Sequence, residues 1–244
     1  MSESHPETPD TVSLDGTSSQ EAPMTPPSPS DPSVVNGSTR QDAAGGKGAA
    51  EPLGDEALDR LFREARTPLG WSSLPVGREQ LVALYDLMKL APTSGNCSPA
   101  RLVFLTSDDM KARLRPALSN GNVDKCLTAP VIVLVCHDPL FFEHLPRLSS
   151  ETDLRNWFAA DVGLSEETAF RNGSLQGGYL IMAARALGLS VAPFSGFDAY
   201  TVEDSFLSDT GWRVNFIAGL GYPDDRPVPA RAMRLAFDEA CLVL

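Results

Sequence analysis

Few side chains in this sequence of 244 residues have a type and spacing that would let them do chemistry unaided. There are three histidines. His5 lies in a low-complexity stretch and His144 on a polar one, which leaves His137 alone for a serine or cysteine triad. Its place directly after an apolar run reads as structural. The phosphate-cradling G-x-G-x-x-G and Walker loops and the G-x-S-x-G elbow are all missing. The four cysteines, Cys97, Cys126, Cys136 and Cys241, are scattered. With no C-x-x-C pair among them they read as reduced, mostly buried thiols, not as a disulfide framework or a zinc site. A hydrolase built on Cys97 is the weakest reading, because no histidine is suitably placed. If the protein is an enzyme, a bound cofactor carries the hard step.

Four short segments bear on which cofactor. They are Ala65-Arg66-Thr67 followed by Trp71, the run from Ala91 to Pro99, Asn122-Val123-Asp124-Lys125 leading through Ala129-Pro130 into an apolar stretch, and Pro193-Phe194-Ser195-Gly196-Phe197. Each alone reads as a turn or a solvated surface. In this order and at these distances they resemble the nitroreductase superfamily, from about Leu58 to the C-terminus. Further runs are similar to the subgroup that contains malonic-semialdehyde reductase: Gly70-Trp71, Ala100-Arg101, Arg113 to Ser119, Glu167 to Asn172, and Ser195 to Asp198.

The resemblance implies an α+β, nitroreductase-like fold, with a central mixed sheet flanked by helices, in an intertwined homodimer that holds FMN at the subunit interface. It also implies site residues. Arg66 and Thr67 match flavin contacts near the chain start, and Asn122 and Lys125 match residues facing the pyrimidine edge of the ring. Pro193, Ser195 and Gly196 match the segment whose amides approach flavin N5. Arg234 matches a phosphate ligand, with Arg231 beside it. Pro92, Ser94 and Asn96 match residues that reach the FMN of the other subunit. The chain departs from many relatives at Ala65 and Ala232, where a basic residue is common, and at Phe194 and Ser195.

Those roles are chemically sound. A fixed ammonium such as Lys125 stabilises the negative charge of a reduced flavin, so it is the one residue given a catalytic role. A guanidinium pairs with phosphate through two N–H groups. Gly196 permits the main chain to come close. The implied reaction is a ping-pong hydride transfer through flavin N5, with NADPH or NADH as donor. The expected acceptor is malonic semialdehyde, which would give 3-hydroxypropionate. Arg155, beside Trp157 and Phe158, is the candidate cation for its carboxylate, with Arg147 a second. Two alternatives stay open: a broad nitro or quinone reductase, and a flavin-binding protein without turnover.

The elements that must position these residues are legible from periodicity. Helices are expected over Asp55 to Arg66, Arg78 to Leu90 (stopped by Pro92), Ser107 to Leu118, Ser165 to Leu187 (stopped by Gly188) and near Val202 to Leu207. Strands are expected at Leu102 to Leu105, Val131 to Val135, Ser190 to Phe194 and Asn215 to Leu220. Together they make an α+β or α/β domain. The helix ending at Leu187 is apolar around nearly its whole circumference, so it must lie centrally or against another subunit, and an obligate dimer is expected.

Composition sets the boundaries. None of the 18 aromatic residues precedes Phe62, and the first 50 residues hold 9 Ser, 7 Pro and 5 Gly. Such a segment cannot offset the entropy of ordering its backbone, so residues 1–53 are expected to be a disordered tail and 54–244 the domain. Of the net charge of -12, the first 50 residues carry -5, from two bases against seven acids, which leaves -7 for the rest. An acidic body repels phosphate backbones and anionic membranes, so neither is an expected partner. No apolar run approaches a membrane span and the polar start lacks the pattern of a signal peptide, so a cytoplasmic location is expected.

Overall fold

The apolar run Val131–His137 becomes β2, the strand around which the described residues are organised, and all seven of its residues are buried. Alternate side chains of a strand point to opposite faces. Ile132, Leu134 and Cys136 enter one core with Leu114, Leu118, Cys126, Val202 and Leu207. Val131, Val133 and Val135 enter a second, with Leu84, Met88, Leu180 and Ala184. Both faces are therefore covered, which explains why this strand reads as continuous hydrophobicity and not as alternation.

This computed structural model describes residues 50–151 and 153–244, so nearly all of the expected tail lies outside the described residues. In chain order the longer helices and the strands are α1 (Asp55–Leu58), α2 (Arg78–Met88), β1 (Ala100–Leu105), α3 (Asp108–Leu114), α4 (Val123–Leu127) and β2, then α5 (Leu145–Leu148), α6 (Leu154–Ala159), α7 (Val162–Ala186), β3 (Ser190–Phe194), α8 (Ala199–Phe206), β4 (Arg213–Gly221) and α9 (Phe237–Ala240). The four strands form one sheet in the order β1-β2-β4-β3. The α+β class is as expected, but the sheet is not mixed: all three ladders are antiparallel. The reason lies in the order. β2 and β3 run parallel to each other, as do β1 and β4, yet in each case a strand of opposite direction lies between them.

Local chemistry sets the ends of the elements. Ser107 caps α3 by accepting from the Met110 N–H at 3.4 Å, with Asp108 and Asp109 in the first turn. α7 begins one turn earlier than the expected start at Ser165, with Asp161 as its cap, accepting from the Leu164 N–H at 3.0 Å. Ser165 is buried instead and donates to the Pro139 carbonyl at 2.6 Å. Gly188, at φ 80°, ends α7 in the left-handed conformation that glycine takes without penalty. After α1 the chain continues as a π turn over Asp59–Arg63 and stops short of Arg66. Its terminal carbonyls are taken by two distant guanidinium groups, Arg185 on Leu61 at 2.8 Å and Arg231 on Phe62, Arg63 and Ala65 at 3.1, 2.7 and 2.9 Å.

The long helix α7 lies across the sheet and touches all four strands and α2. Its buried face carries Asn172, Gly173, Gln176, Gly177, Leu180 and Ala184, while Phe170, Leu175 and Tyr179 are exposed. Two of the buried residues are glycines because the helix sits close on the sheet. A Cβ on Gly177 would stand 2.5 Å from Cε1 of Phe216, and one on Gly173 3.0 Å from Cβ of His137. Beside it, His137 is buried and stacks edge-on to Phe170, with ring centroids 5.7 Å apart. Its Nδ1 is the one buried side-chain nitrogen or oxygen among the described residues without a hydrogen-bond partner.

Two predictions follow from this packing. Gly177→Ala should lower unfolding stability by about 1–3 kcal/mol because the Phe216 ring must shift within a packed core. The adjacent Gly178→Ala meets nothing within 4 Å, and should raise stability by about 0.5–1 kcal/mol through helix propensity. Denaturant midpoints of the two variants moving in the same direction would contradict this. For His137, burial lowers the imidazole pKa below its ordinary value, with Glu203 and Glu166 opposing. The unfolded chain then binds more protons than the native one, so the contribution is fully present above the unfolded pKa of about 6.5 and is lost as pH falls toward the folded value. His137→Phe should flatten the loss of stability measured between pH 7.5 and 5.5.

Candidate functional site

The exit from β3 and the entry to α4 meet in one corner. Leu118 and Phe197 form an isolated antiparallel bridge, with the Ser119 N–H on the Gly196 carbonyl at 3.1 Å and the Asp198 N–H on the Ala117 carbonyl at 2.8 Å. Asn122 completes the corner by donating its Nδ2 to the Gly196 carbonyl at 3.2 Å and to Ser119 Oγ at 3.1 Å. A side chain cannot be accommodated there, since a Cβ on Gly196 would lie 2.6 Å from Ser119 Oγ and 2.7 Å from Asn122 Nδ2. The Gly196 carbonyl is thus fully engaged, and its N–H donates to nothing among the described residues. Lys125 is exposed and stands one helical turn after Asn122, hence on the same side of α4. α4 is itself fixed by Trp71, whose indole N–H donates to the Lys125 carbonyl at 2.9 Å. The indole occupies a slot made by Gly219 and Gly221 of β4, where added Cβ atoms would come within 2.8 and 3.0 Å of it. Four expected residues are therefore at one place: Asn122, Lys125, Gly196 and, preceding it in the exit, exposed Ser195. Pro193 lies one pair earlier, opposite Ala218 on an edge strand, where the lack of an N–H costs no ladder bond.

A second group gathers guanidinium ions. Arg60, Arg66 and Arg185 line a cleft of about 280 Å³ with Ala65, Gly188 and Ser190. Arg66 donates to the Pro229 carbonyl at 2.6 Å, and exposed Thr67 follows it. Burial lowers the pKa of Arg185, and the positive charge of Arg231 lowers it further, so like charges are held together here. Arg234, the expected phosphate ligand, is exposed and donates to the Ala232 and Met233 carbonyls at 2.9 and 3.1 Å. Arg60 and Arg185 were not singled out from the sequence. A signal existed for Arg185, the sole charge in the apolar stretch from Tyr179 to Leu187.

The third group is the turn that feeds β1. Gly95, Asn96 and Ser98 all have positive φ, 55°, 53° and 41°. A non-glycine residue held there costs about 1–2 kcal/mol, so the turn must be held from outside. Asn172 of α7 accepts from the Ser94 N–H at 2.9 Å, Gln176 of α7 accepts from the Ala100 N–H at 2.9 Å, and Asn96 donates to the Leu148 carbonyl at 2.7 Å. Pro92, Ser94 and Asn96 are left exposed. Next to the turn, Arg101 pairs with Asp138 at 2.8 Å under only 18% and 12% exposure, and its guanidinium lies 5.9 Å from the Trp212 ring. Asn172 and Gln176 were not assigned a role from the sequence, because a polar residue inside a helix pattern does not announce what it binds.

The structure separates this turn from the Gly196 corner. β1 and β3 are the two edges of the sheet, three strand spacings or about 14 Å apart. Arg155 is also accounted for: Glu143 takes its guanidinium in contacts of 2.8 to 3.0 Å. The buried thiols offer no nucleophile, since burial raises Cys97 to about 11 and both Cys126 and Cys136 to about 12. Among the described residues no cluster of His, Cys, Asp or Glu could hold a metal ion.

The sequence matches no protein-family model. Solved structures, however, share its fold. A protein of Bacillus subtilis assigned as a nitroreductase superposes with a TM-score of 0.69 at 21% identity, covering 78% of this chain and 99% of its own. One of Staphylococcus epidermidis assigned as an NAD(P)H:FMN oxidoreductase gives 0.68 at 17% identity, over 82% of this chain and 100% of its own. One of Exiguobacterium sibiricum assigned as a nitroreductase, solved in complex with FMN, gives 0.65 at 16% identity, over 79% and 99%. The chain has the nitroreductase-like fold.

Proposed function

We propose that the protein is an FMN-dependent NAD(P)H oxidoreductase. The observation that carries this reading is the Gly196 corner: a backbone approach that excludes any side chain, with a free N–H and with Asn122 and Lys125 on the adjoining helix. These residues fit FMN. The Gly196 N–H and the Asn122 amide supply donors for ring edges, and the arginine cleft supplies paired N–H groups for a phosphate. A dianion there would also relieve the repulsion between Arg185 and Arg231. FMN contributes a hydride-carrying N5, the chemistry that no side chain of the chain provides. With FMN bound, Lys125 would supply the positive charge that stabilises the negative charge of a reduced flavin. The related fold of a protein solved with FMN, and of another assigned as an NAD(P)H:FMN oxidoreductase, supports the assignment.

The acceptor we propose is malonic semialdehyde, reduced to 3-hydroxypropionate, on the strength of the runs from Arg113 to Ser119, Glu167 to Asn172 and Ser195 to Asp198. A broad nitro or quinone reductase is the second reading, favoured by the nitroreductase assignment of the Bacillus subtilis protein. The working form we propose is a homodimer in the cytoplasm. Two observations support the dimer. Pro92, Ser94 and Asn96 are a sheet's width from Gly196, so they serve a second copy's flavin better than their own. The chain end also exposes Met233, Leu235, Phe237, Leu242 and Leu244, while a groove of about 720 Å³ between α2 and edge strand β1 is lined by Leu81, Val82, Tyr85, Leu102 and Phe104. A partner's end laid in that groove would cover both. No helix of the described residues is long and apolar enough to cross a membrane.

The purified protein should be yellow, and the colour should fade anaerobically with NADPH or NADH; a colourless protein that FMN cannot reconstitute would refute the reading. Lys125→Met should slow that fading roughly 10- to 100-fold, the equivalent of about 1.5–3 kcal/mol for a charge-assisted interaction. Arg66→Ala and Arg185→Ala should weaken FMN to a similar degree in fluorescence titrations while leaving riboflavin, which lacks the phosphate, unaffected. Deleting residues 233–244 should shift the sedimentation coefficient from dimer to monomer.

A further inference from the structure

Apart from the Gly196 corner and the arginine cleft, a cavity of about 690 Å³ opens against the 94–98 turn, lined among others by Asn96, Arg101, His144, Arg147, Gln176 and Trp212. That volume falls within the range of small-molecule sites. No aspartate or glutamate lines it, whereas four of its side chains are cations or can become one. Three of those have a carboxylate beside them. Lys89 pairs with Asp86 at 2.5 Å, Arg101 with Asp138 at 2.8 Å, and His144 stands 3.9 Å from the same Asp138 carboxylate. Arg147, on α5, has no hydrogen bond or ion pair among the described residues.

Gln176 gives an independent indication. It is 97% buried by its 3% exposure, and its Oε1 is fixed by the Ala100 N–H at 2.9 Å. That bond determines which end of the amide is which, so Nε2 is the free end. It meets no partner among the described residues, yet it is not sealed from solvent, because the cavity lies in front of it. With Oε1 held by the Ala100 N–H, Nε2 is the end of the amide left to donate to an acceptor that enters the cavity.

We infer that Arg147 and Gln176 Nε2 are the anchor that holds the carboxylate of the acceptor in this cavity. A guanidinium offers a planar pair of donors to a carboxylate, and the amide adds a third. Asn96 forms part of the same wall, and its Nδ2 is tied to the Leu148 carbonyl at 2.7 Å, next to Arg147 in α5. The anchor rests on the proposed function in two respects, an acceptor that carries a carboxylate and a 94–96 turn that faces the flavin of a second copy; on that reading an acid held by Arg147 presents its carbonyl end toward that flavin. Arg155 has no part in it, since Glu143 occupies its guanidinium.

Calorimetric titration of the full-length protein with 3-hydroxypropionate, and with uncharged 1,3-propanediol, tests the anchor. The acid should bind and the diol should not. Arg147→Ala should weaken the acid at least 10-fold and Arg147→Lys should recover part of the loss. Gln176→Glu, which keeps the acceptor for Ala100 but replaces the donor by an anion, should weaken it as much. Arg155→Ala should bind the acid like the unaltered protein. Equal affinity for acid and diol, or an Arg147→Ala protein that binds the acid undiminished, would overturn the inference. Flavin content is read on the same samples: Arg147-dependent binding of the acid to a protein that takes up no FMN would uphold the anchor and sink the flavoenzyme reading.

Discussion

The candidate site depends on how closely two backbone segments approach at Gly196. Its carbonyl takes the Ser119 N–H and the Asn122 amide within 3.2 Å, and no Cβ fits. That contact joins the exit of β3 to the entry of α4. Lys125 is then placed by helix geometry, one turn on, and Trp71 fixes the helix against β4 from the other side. The Trp71 slot is itself made by two glycines of β4. A rigid sheet edge, an indole and one glycine carbonyl thus bring Lys125 and the free N–H of Gly196 to one corner, and the flavin reading proposed above asks for charge held in place there.

A different economy holds the opposite edge of the sheet. The turn before β1 carries backbone that L residues resist; within it the Asn96 and Cys97 N–H groups donate to the Thr93 and Ser94 carbonyls, both at 3.0 Å, and the Ser98 N–H donates to the Thr93 hydroxyl at 3.1 Å. The restraint comes from α7, which places Asn172 and Gln176 one turn apart on its buried face and spends a side-chain acceptor of each on that turn. A helix that only filled space would carry aliphatic residues at both positions. Burying two amides costs stability unless they are bonded, and here both are bonded to the turn and the strand it feeds, so α7 holds this segment as well as packing the core.

Much of this was legible in the sequence, and for a definable reason. Strands buried on both faces, such as β2, read as apolar runs, and Ser107 and Gly188 mark helix ends through their own side-chain or backbone chemistry. Ser190–Phe194 was expected as a strand over the residues where it forms. What periodicity could not give was anything set by contacts between distant residues. α7 starts at Val162 under the cap of Asp161, and Ser165 lies inside it, donating to the Pro139 carbonyl, a partner 26 residues away. The first helix ended before Arg66 because Arg185 and Arg231, more than 120 residues on, take its last carbonyls. Arg155, the candidate cation beside its aromatics, pairs with Glu143, 12 residues earlier, a contact that periodicity does not announce. The directions of the strands were likewise undetermined, since parallel and antiparallel order depend on which strand comes between.

Charge shows the same limit from another side. The chain is acidic overall, at -12, which argues against polyanionic partners. Yet the cleft around Arg66 and Arg185 and the cavity beside Arg147 are both lined by cations and lack any carboxylate among their lining residues. Net charge governs what approaches from beyond a Debye length of about 8–10 Å, while the sign of a lined cleft governs what stays. In an acidic protein such clefts stand out more, because the surrounding negative surface discourages anions everywhere except where guanidinium groups are gathered. Carboxylates adjoining the second cavity's lining are already committed, Asp86 to Lys89, Asp138 to Arg101 and Glu143 to Arg155. The acids of this face therefore pair with two of its arginines, and Arg147 has no such partner among the described residues.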